Sequence, residues 1–230
     1  MSLEKILNAE SVAIVGASKN ETKRGYQTIR TLLDEKYEGR IYPVNPKEKT
    51  ILGFKCYPKV ADIDGPVDVA LVATPARSLP AVLEDCGQKG VRGAVVLAGG
   101  FGETGPGGRK LESEMVAVAG KYNIRLIGPN TSGMLNLHDR LNLVGLRDAP
   151  KGDIALLTQS GNMALTLITE AKVKSRKGFS YYVGVGNEAD IKFHEYLEFF
   201  RQDPKTCLLY TSPSPRDCKV DRVCRLLREK

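Results

Sequence analysis

The sequence predicts an α/β protein: a Rossmann-like, doubly wound parallel sheet followed by the start of a second α/β unit. Three observations predict it. Short unbroken apolar runs alternate with segments of helical periodicity, several of those runs end in glycine- or proline-bearing loops, and the alternation lapses near residue 150 and then restarts. Unbroken apolar runs suit strands buried on both faces, and strand–helix alternation demands parallel pairing through right-handed crossovers.

The first run, Ser11–Val15, ends in Gly16, and a polar loop leads to a helix over 25–35 in which Ile29, Leu32 and Leu33 keep helical spacing. Arg40–Val44 reads as the second strand, 67–73 as the third and 93–98 as the fourth, with Leu79–Lys89 a helix between the last two. A helix over 111–122 and a strand over 124–127 follow, and the first domain is assigned to 1–147. After the loop at 147–152, a strand (153–157), a helix (162–172), a strand (178–183) and a helix (193–201) open a second domain, assigned to 153–206. Some fifty residues cannot close such a sheet, since domains of this kind run to ~100 residues or more. A further strand is due after 206. Instead Pro213 and Pro215 arrive, which a central strand cannot hold. The run 207–217 resembles the conceptual translation of a transposase-type sequencing adapter, so 207–230 is read as a non-native tail; the alternative is a flexible basic tail.

Composition narrows the function classes. With 42% hydrophobic residues in 230, the chain can bury a core, so global disorder is excluded. No apolar run approaches the ~18 residues of a membrane span, and the start lacks the basic-then-apolar order of a secretory signal, so the expected compartment is the cytoplasm. The net charge of +7 splits into +3 for 207–230 and +4 for the rest, too mild a balance to call for nucleic acid or a membrane surface. Cys56 and Cys86 stand alone, and the cysteines of the tail match neither zinc-site nor redox-pair spacing; no metal is expected.

The chemistry is expected at the carboxyl ends of the strands, where open α/β sheets bind ligands. Gly16, Ala17 and Ser18 open the first crossover and Gly25 starts its helix; glycine permits close approach to a phosphate, and a helix start offers amide donors and partial positive charge. The second strand ends in Asn45-Pro46-Lys47, with no carboxylate to accept from ribose hydroxyls, and Lys47 suits a ribose phosphate, as in NADP or coenzyme A. Thr74, Pro75, Ala76 and Arg77 follow the third strand, Gly99 and Gly100 the fourth, and Asn130 sits in the loop after the fifth. Each is by itself an ordinary turn, and Lys47 an ordinary surface lysine; together they outline one long groove, which suits a long ligand. In the second unit, Ser160 and Gly161 begin a helix, either as a plain cap or as an anion-binding start.

This set resembles the NDP-forming acyl-CoA synthetases, a family that includes the ADP-forming acetate–CoA ligases and, more distantly, the succinyl-CoA synthetase alpha subunit. The matching stretches are 11–18 (SVAIVGAS), 42–47 (YPVNPK), 72–76 (VATPA), 98–103 (AGGFGE), 127–133 (IGPNTSG), 157–161 (LTQSG) and 185–190 (VGVGNEAD). The resemblance implies a coenzyme A-binding Rossmann-like domain and the start of a flavodoxin-like one. The implied reaction is acid, coenzyme A and ATP giving acyl-CoA, ADP and phosphate through a phosphohistidine. It implies that Gly16, Ala17, Ser18, Gly25, Asn45, Pro46 and Lys47 hold the nucleotide end of coenzyme A. Thr74, Pro75, Ala76 and Arg77 would line its ribose and adenine side, Gly99, Gly100 and Asn130 the pantetheine and thiol, and Ser160 and Gly161 a phosphate. ATP or ADP with Mg would bind an ATP-grasp subunit or fused domain, and the parent would be an oligomer. Neither His138 nor His194 stands in the family's histidine motif, so no catalytic residue is expected in this chain and the fragment alone is expected to be inactive. No Tyr falls at 163–166, which argues against a dicarboxylate. The competing readings are a non-catalytic coenzyme A-binding regulatory module, for which the second unit would have no purpose, and an NADP-binding oxidoreductase domain, for which no hydride-transfer acid–base pair is visible.

Overall fold

Alternation of side chains along the strands decides where the cores lie. The computed structural model describes residues 3–174 and 177–212. Its first sheet contains β1 (Ser11–Val15), β2 (Arg40–Val44), β5 (Val69–Val72), β6 (Gly93–Val96) and β7 (Arg125–Ile127), all parallel, in the order β2-β1-β5-β6-β7. Val12, Ile14, Val69, Leu71, Val95 and Ile127 point to one face, where they meet α1 (Glu4–Leu7) and α2 (Arg24–Asp34). Ala13, Val15, Ala70, Val72, Ala94, Val96 and Leu126 point to the other, against α3 (Leu79–Lys89) and α4 (Pro106–Lys121). The period of two with both sets apolar is what a sheet covered on both faces requires.

The second sheet holds five strands, in the order 208–212, 151–158, 179–184, 134–136 and 141–142. Its parallel part is β10 (Lys151–Thr158), β11 (Phe179–Gly184) and β12 (Leu208–Ser212). The hairpin of β8 (Met134–Asn136) and β9 (Leu141–Asn142) adds antiparallel to β11. Residues 134–142 were grouped with the first domain in the sequence; they hydrogen-bond into the second sheet, ahead of the loop at 147–152. One face of this sheet carries Leu156, Tyr182 and Phe179 against Ala164 and Ile168 of α5 (Gly161–Lys174). The other carries Ala155, Leu157, Tyr181 and Val183, together with Tyr196 and Phe200 of α6 (Phe193–Gln202), into the same apolar cluster as Val12 and Ile14. Helices α1, α2 and α6 are therefore a middle layer shared by the two sheets.

The structure corrects several expectations. A strand does follow residue 206: Leu208–Ser212 pairs with Ile154–Thr158 in parallel. The five residues that pair contain no proline; Pro213 and Pro215 belong to 213–230, which lie outside the described residues. The helix expected at 111 begins at Pro106, because proline is favoured in the first turn, where its missing N–H costs nothing. The two-residue strands β3 (Thr50–Ile51) and β4 (Phe54–Lys55) and the four-residue α1 carry too short a pattern to be read. No strand is expected from the sequence at β8 or β9 either; the other strands and α-helices fall within a few residues of their expected bounds.

No helix among the described residues is long and apolar enough to cross a membrane, and no group of three or more His, Cys, Asp or Glu among them could hold a metal ion. The buried Cys86 thiol is pushed up to about 12 by burial, so it carries no thiolate chemistry.

In the shared layer Tyr196 is fully buried, yet its hydroxyl has no hydrogen-bond partner among the described residues. An unsatisfied buried hydroxyl costs about 1–3 kcal/mol. Tyr196→Phe is therefore expected to leave stability unchanged or to raise it by about 1 kcal/mol; a urea midpoint that falls would show that the hydroxyl has a partner.

Candidate functional site

Parallel pairing puts the carboxyl ends of all five first-sheet strands on one edge, in the order 45–47, 16–18, 74–77, 99–100 and 128–130. At ~4.8 Å per strand the row is about 19 Å long. Along it lies a cleft of about 550 Å³ lined by Gly16, Asn45, Pro46, Thr74, Pro58, Lys59 and one face of α3. Among the residues singled out from the sequence, Gly16, Asn45, Pro46 and Thr74 line this cleft; the others of the first unit lie outside it, and Ser160 and Gly161 stand at the start of α5 in the second unit. A larger cleft of about 700 Å³ opens at the opposite, amino-terminal edge, beside Arg40, Asp68 and His138. None of the expected site residues lies there.

The first crossover depends on two glycines. Gly16 has φ +85°, a left-handed value that favours glycine, and a Cβ there would lie 2.9 Å from the Ala73 carbonyl oxygen. Gly25 seats the start of α2 directly on that turn: a Cβ would overlap the Gly16 carbonyl oxygen and lie 2.8 Å from Ala17 Cα. The first turn of α2 contains no acidic residue, so its amides and its partial positive charge face the loop unopposed. Arg24 is exposed at the surface and donates from Nη2 to the Ser132 carbonyl at 3.0 Å, tying α2 to the loop after β7; partial desolvation of its guanidinium lowers its pKa.

The loops offer fewer bare amides than the sequence suggests. Gly16 and Ala17 both donate to the Val44 carbonyl, at 3.1 and 3.3 Å. Ala17 is buried, so its methyl belongs to the core. Ser18 Oγ accepts from the Asn20 amide at 3.0 Å. Asn45 acts as a latch, donating from Nδ2 to the Ala17 carbonyl at 2.6 Å and accepting from the Lys47 amide at 2.8 Å. Lys19 pairs with Glu48 at 2.8 Å. Lys47 and Arg77 are exposed and pair with no carboxylate among the described residues. Ser78 donates to Thr74 Oγ1 or to the Pro75 carbonyl, which fixes the turn at 74–78.

At the far end the Gly99-Gly100 turn is folded around Glu103, whose carboxylate accepts from the amides of Gly100 (2.6 Å) and Phe101 (3.2 Å) and from Asn187 Nδ2 (2.6 Å). Burial pushes the Glu103 carboxyl up, but the Asn187 and backbone donors outweigh it and the net direction is down. Asn130 adopts φ +58° and donates its amide N–H to the Ala98 carbonyl.

The second unit meets this end. Gly161, the first residue of α5, packs on Ser132, and Ser132 shares a hydrogen bond with Tyr182. Ser160 Oγ accepts from the Met163 amide at 3.3 Å, which is the cap geometry. His138 contacts the Gly152 carbonyl at the other edge, and His194 is exposed on α6; neither lies near these loops. Sequence reasoning places Arg24 only as a charge in the first crossover, and Ser132 and Asn187 only within the matching stretches 127–133 and 185–190, without the links they make. Their signal is spatial, since each joins segments far apart in the chain.

A family model for the CoA binding domain matches residues 10–136. The chain belongs to that family. The CoA binding domain is followed by a match to the succinyl-CoA ligase like flavodoxin domain over 151–213, the arrangement of the NDP-forming acyl-CoA synthetases. The chain is 40% identical over 231 residues to the ADP-forming acetate–CoA ligase of Methanocaldococcus jannaschii, covering 99% of this chain and 32% of that protein. It is 43% identical over 211 residues to the alpha subunit of ADP-forming acetate–CoA ligase I of Pyrococcus furiosus, covering 90% of this chain and 46% of that subunit. Among solved structures it resembles the dinucleotide forming acetyl-coenzyme A synthetase 1 of Ca. Korarchaeum cryptofilum in complex with phosphate and ADP. There the TM-score is 0.88 at 38% identity, over 93% of this chain and 46% of that one. The CoA binding domain and its companion thus span between a third and a half of the length of these relatives.

Proposed function

We propose that this chain is the coenzyme A-holding part of an ADP-forming acid–CoA ligase of the acetate type. The observation that carries the reading is the row of five loops on one sheet edge, locked to a second α/β sheet through a common helical layer. A free-standing binding module would have no use for that second sheet. In this reading Lys47, with Gly16, Ala17, Ser18, Gly25, Asn45 and Pro46, holds the phosphorylated nucleotide end. Thr74, Pro75, Ala76 and Arg77 flank the adenosine, and Gly99, Gly100 and Asn130 receive the pantetheine and thiol. Asn45 is latched and Lys19 is paired with Glu48, whereas the exposed Lys47 pairs with no carboxylate among the described residues and is the cation assigned to the ribose phosphate. The start of α5, with Ser160 as cap and Gly161 against Ser132, would bind the phosphate of an acyl phosphate through helix amides.

ATP or ADP with Mg would bind an ATP-grasp subunit or fused domain, and phosphoryl transfer through a histidine falls to the remainder of the enzyme. A small carboxylic acid, its acyl-CoA and a cytoplasmic, oligomeric parent complete the proposal. Calorimetry of this chain with coenzyme A against dephospho-coenzyme A tests it. Losing the 3′-phosphate removes a charge-assisted contact worth about 1–3 kcal/mol, so dephospho-coenzyme A is expected to bind roughly 5- to 150-fold more weakly. Equal affinities, or no affinity for either, would sink the assignment.

A further inference from the structure

One side chain of the second unit holds two loops of the first. Asn187 lies in the turn after β11, where Gly186 has φ +60° and no room for a side chain, because a Cβ would overlap the Pro129 carbonyl oxygen. The Asn187 amide N–H donates to that same carbonyl at 2.9 Å, and the Ala189 amide to the Gly128 carbonyl at 3.1 Å, so the turn is seated on the loop after β7. The Asn187 side chain then reaches the loop after β6. Its Nδ2 group faces Glu103 Oε2 at 2.6 Å and Glu112 Oε2 at 3.1 Å. Those two carboxylates accept the amides of three successive residues, Gly100 and Phe101 through Glu103 and Gly102 through Glu112 at 3.2 Å. Its Oδ1 accepts from Asn130 Nδ2 at 3.4 Å.

The electrostatics make the amide hard to replace. Two carboxylates meet at one point, and a neutral group with two N–H donors serves both without adding charge. Removing it leaves the two like charges facing each other across a loop whose shape they fix. We propose that Asn187 is a positioning residue: by holding Glu103, Glu112 and Asn130 together it fixes the 99–102 and 128–130 loops in the form that receives the thiol end of coenzyme A, so that binding by the first sheet depends on a turn of the second. This rests on the coenzyme A reading above and adds to it which unit controls the thiol end.

The test compares whole coenzyme A with adenosine 3′,5′-bisphosphate, which carries only the nucleotide end, by calorimetry on the full chain and on Asn187→Ala and Asn187→Asp. Asn187→Asp keeps the shape and loses the donors. Both variants are expected to bind coenzyme A at least tenfold more weakly than the unsubstituted chain and to bind the bisphosphate within twofold of it. Retained bisphosphate binding also reports that the first sheet is folded. Equal weakening of both ligands, or coenzyme A binding unchanged in either variant, overturns the proposal. If the unsubstituted chain binds neither ligand, the coenzyme A reading itself fails and takes the proposal with it.

Discussion

Gly25→Ala is expected to destabilise the chain by about 3 kcal/mol or more and to abolish coenzyme A binding. The added methyl would overlap the Gly16 carbonyl oxygen and press on Ala17 Cα, and both are backbone atoms pinned by hydrogen bonds to Val44. No rotamer change relieves the overlap, so α2 has to move away from the turn. Helix propensity works in the opposite direction, but Ala gains at most ~1 kcal/mol over Gly in a helix. The clash wins. The control is Gly120→Ala on the exposed side of α4, where an added Cβ meets nothing within 4 Å. That substitution is expected to raise stability by up to about 1 kcal/mol and leave binding alone. Urea titration and calorimetry of both variants check the pair, and a Gly25→Ala chain as stable as its parent would disprove the packing argument.

The second large effect is expected at the ion-pair cluster that joins β7 to α6. Arg125 Nε meets Asp190 at 2.9 Å, Arg125 Nη2 meets Glu195 at 2.9 Å, and Asp190 also accepts the Leu126 amide at 2.8 Å. The three side chains are roughly a quarter to a third exposed, so solvent screens them only partly. Asp190→Ala strips a partner from a half-buried guanidinium and orphans the amide of the nearly fully buried Leu126. A loss of roughly 2–3 kcal/mol is expected in urea titration.

The same cluster sets an acid dependence. Burial pushes the Glu195 carboxyl up, but the Lys192 amide and Arg125 outweigh it, and the net direction is down. A group whose folded pKa lies below its unfolded one contributes stability above the unfolded value and loses it as pH falls through the folded value. Stability is therefore expected to drop on acidification below about pH 4.5, the region of a free glutamate. Arg125→Met is expected to flatten that drop. A variant with the parent's full acid slope would show that the stabilisation arises elsewhere.

Much of the architecture was legible because the cause is local. Val12 to Val15, Val69 to Val72 and Ala94 to Val96 are apolar at every position, which only a doubly covered strand tolerates, and the loops that follow mark one edge. The middle layer was not legible. Nothing in the pattern of Ile29 and Leu32 says that their helix also faces a second sheet, and the β8–β9 hairpin is too short to announce the sheet it joins. The site was legible to the level of loops. That Gly16, Ala17, Gly100 and Asn130 would direct their amides into neighbouring carbonyls and carboxylates was not, since those partners lie on other segments. Nor was the strand at 208–212. Reading prolines as a veto on the whole stretch overlooked that Leu208–Ser212, which pairs with β10, contains none.

The helical layer common to the two sheets bears on how this architecture could be handled by an engineer. The piece up to residue 147 is not a portable cassette: lifting it out would strand β8 and β9 without their neighbour and wet one side of α1 and α2. Grafting the coenzyme-holding half onto another scaffold would have to bring the far sheet along, or rebuild that side with polar residues.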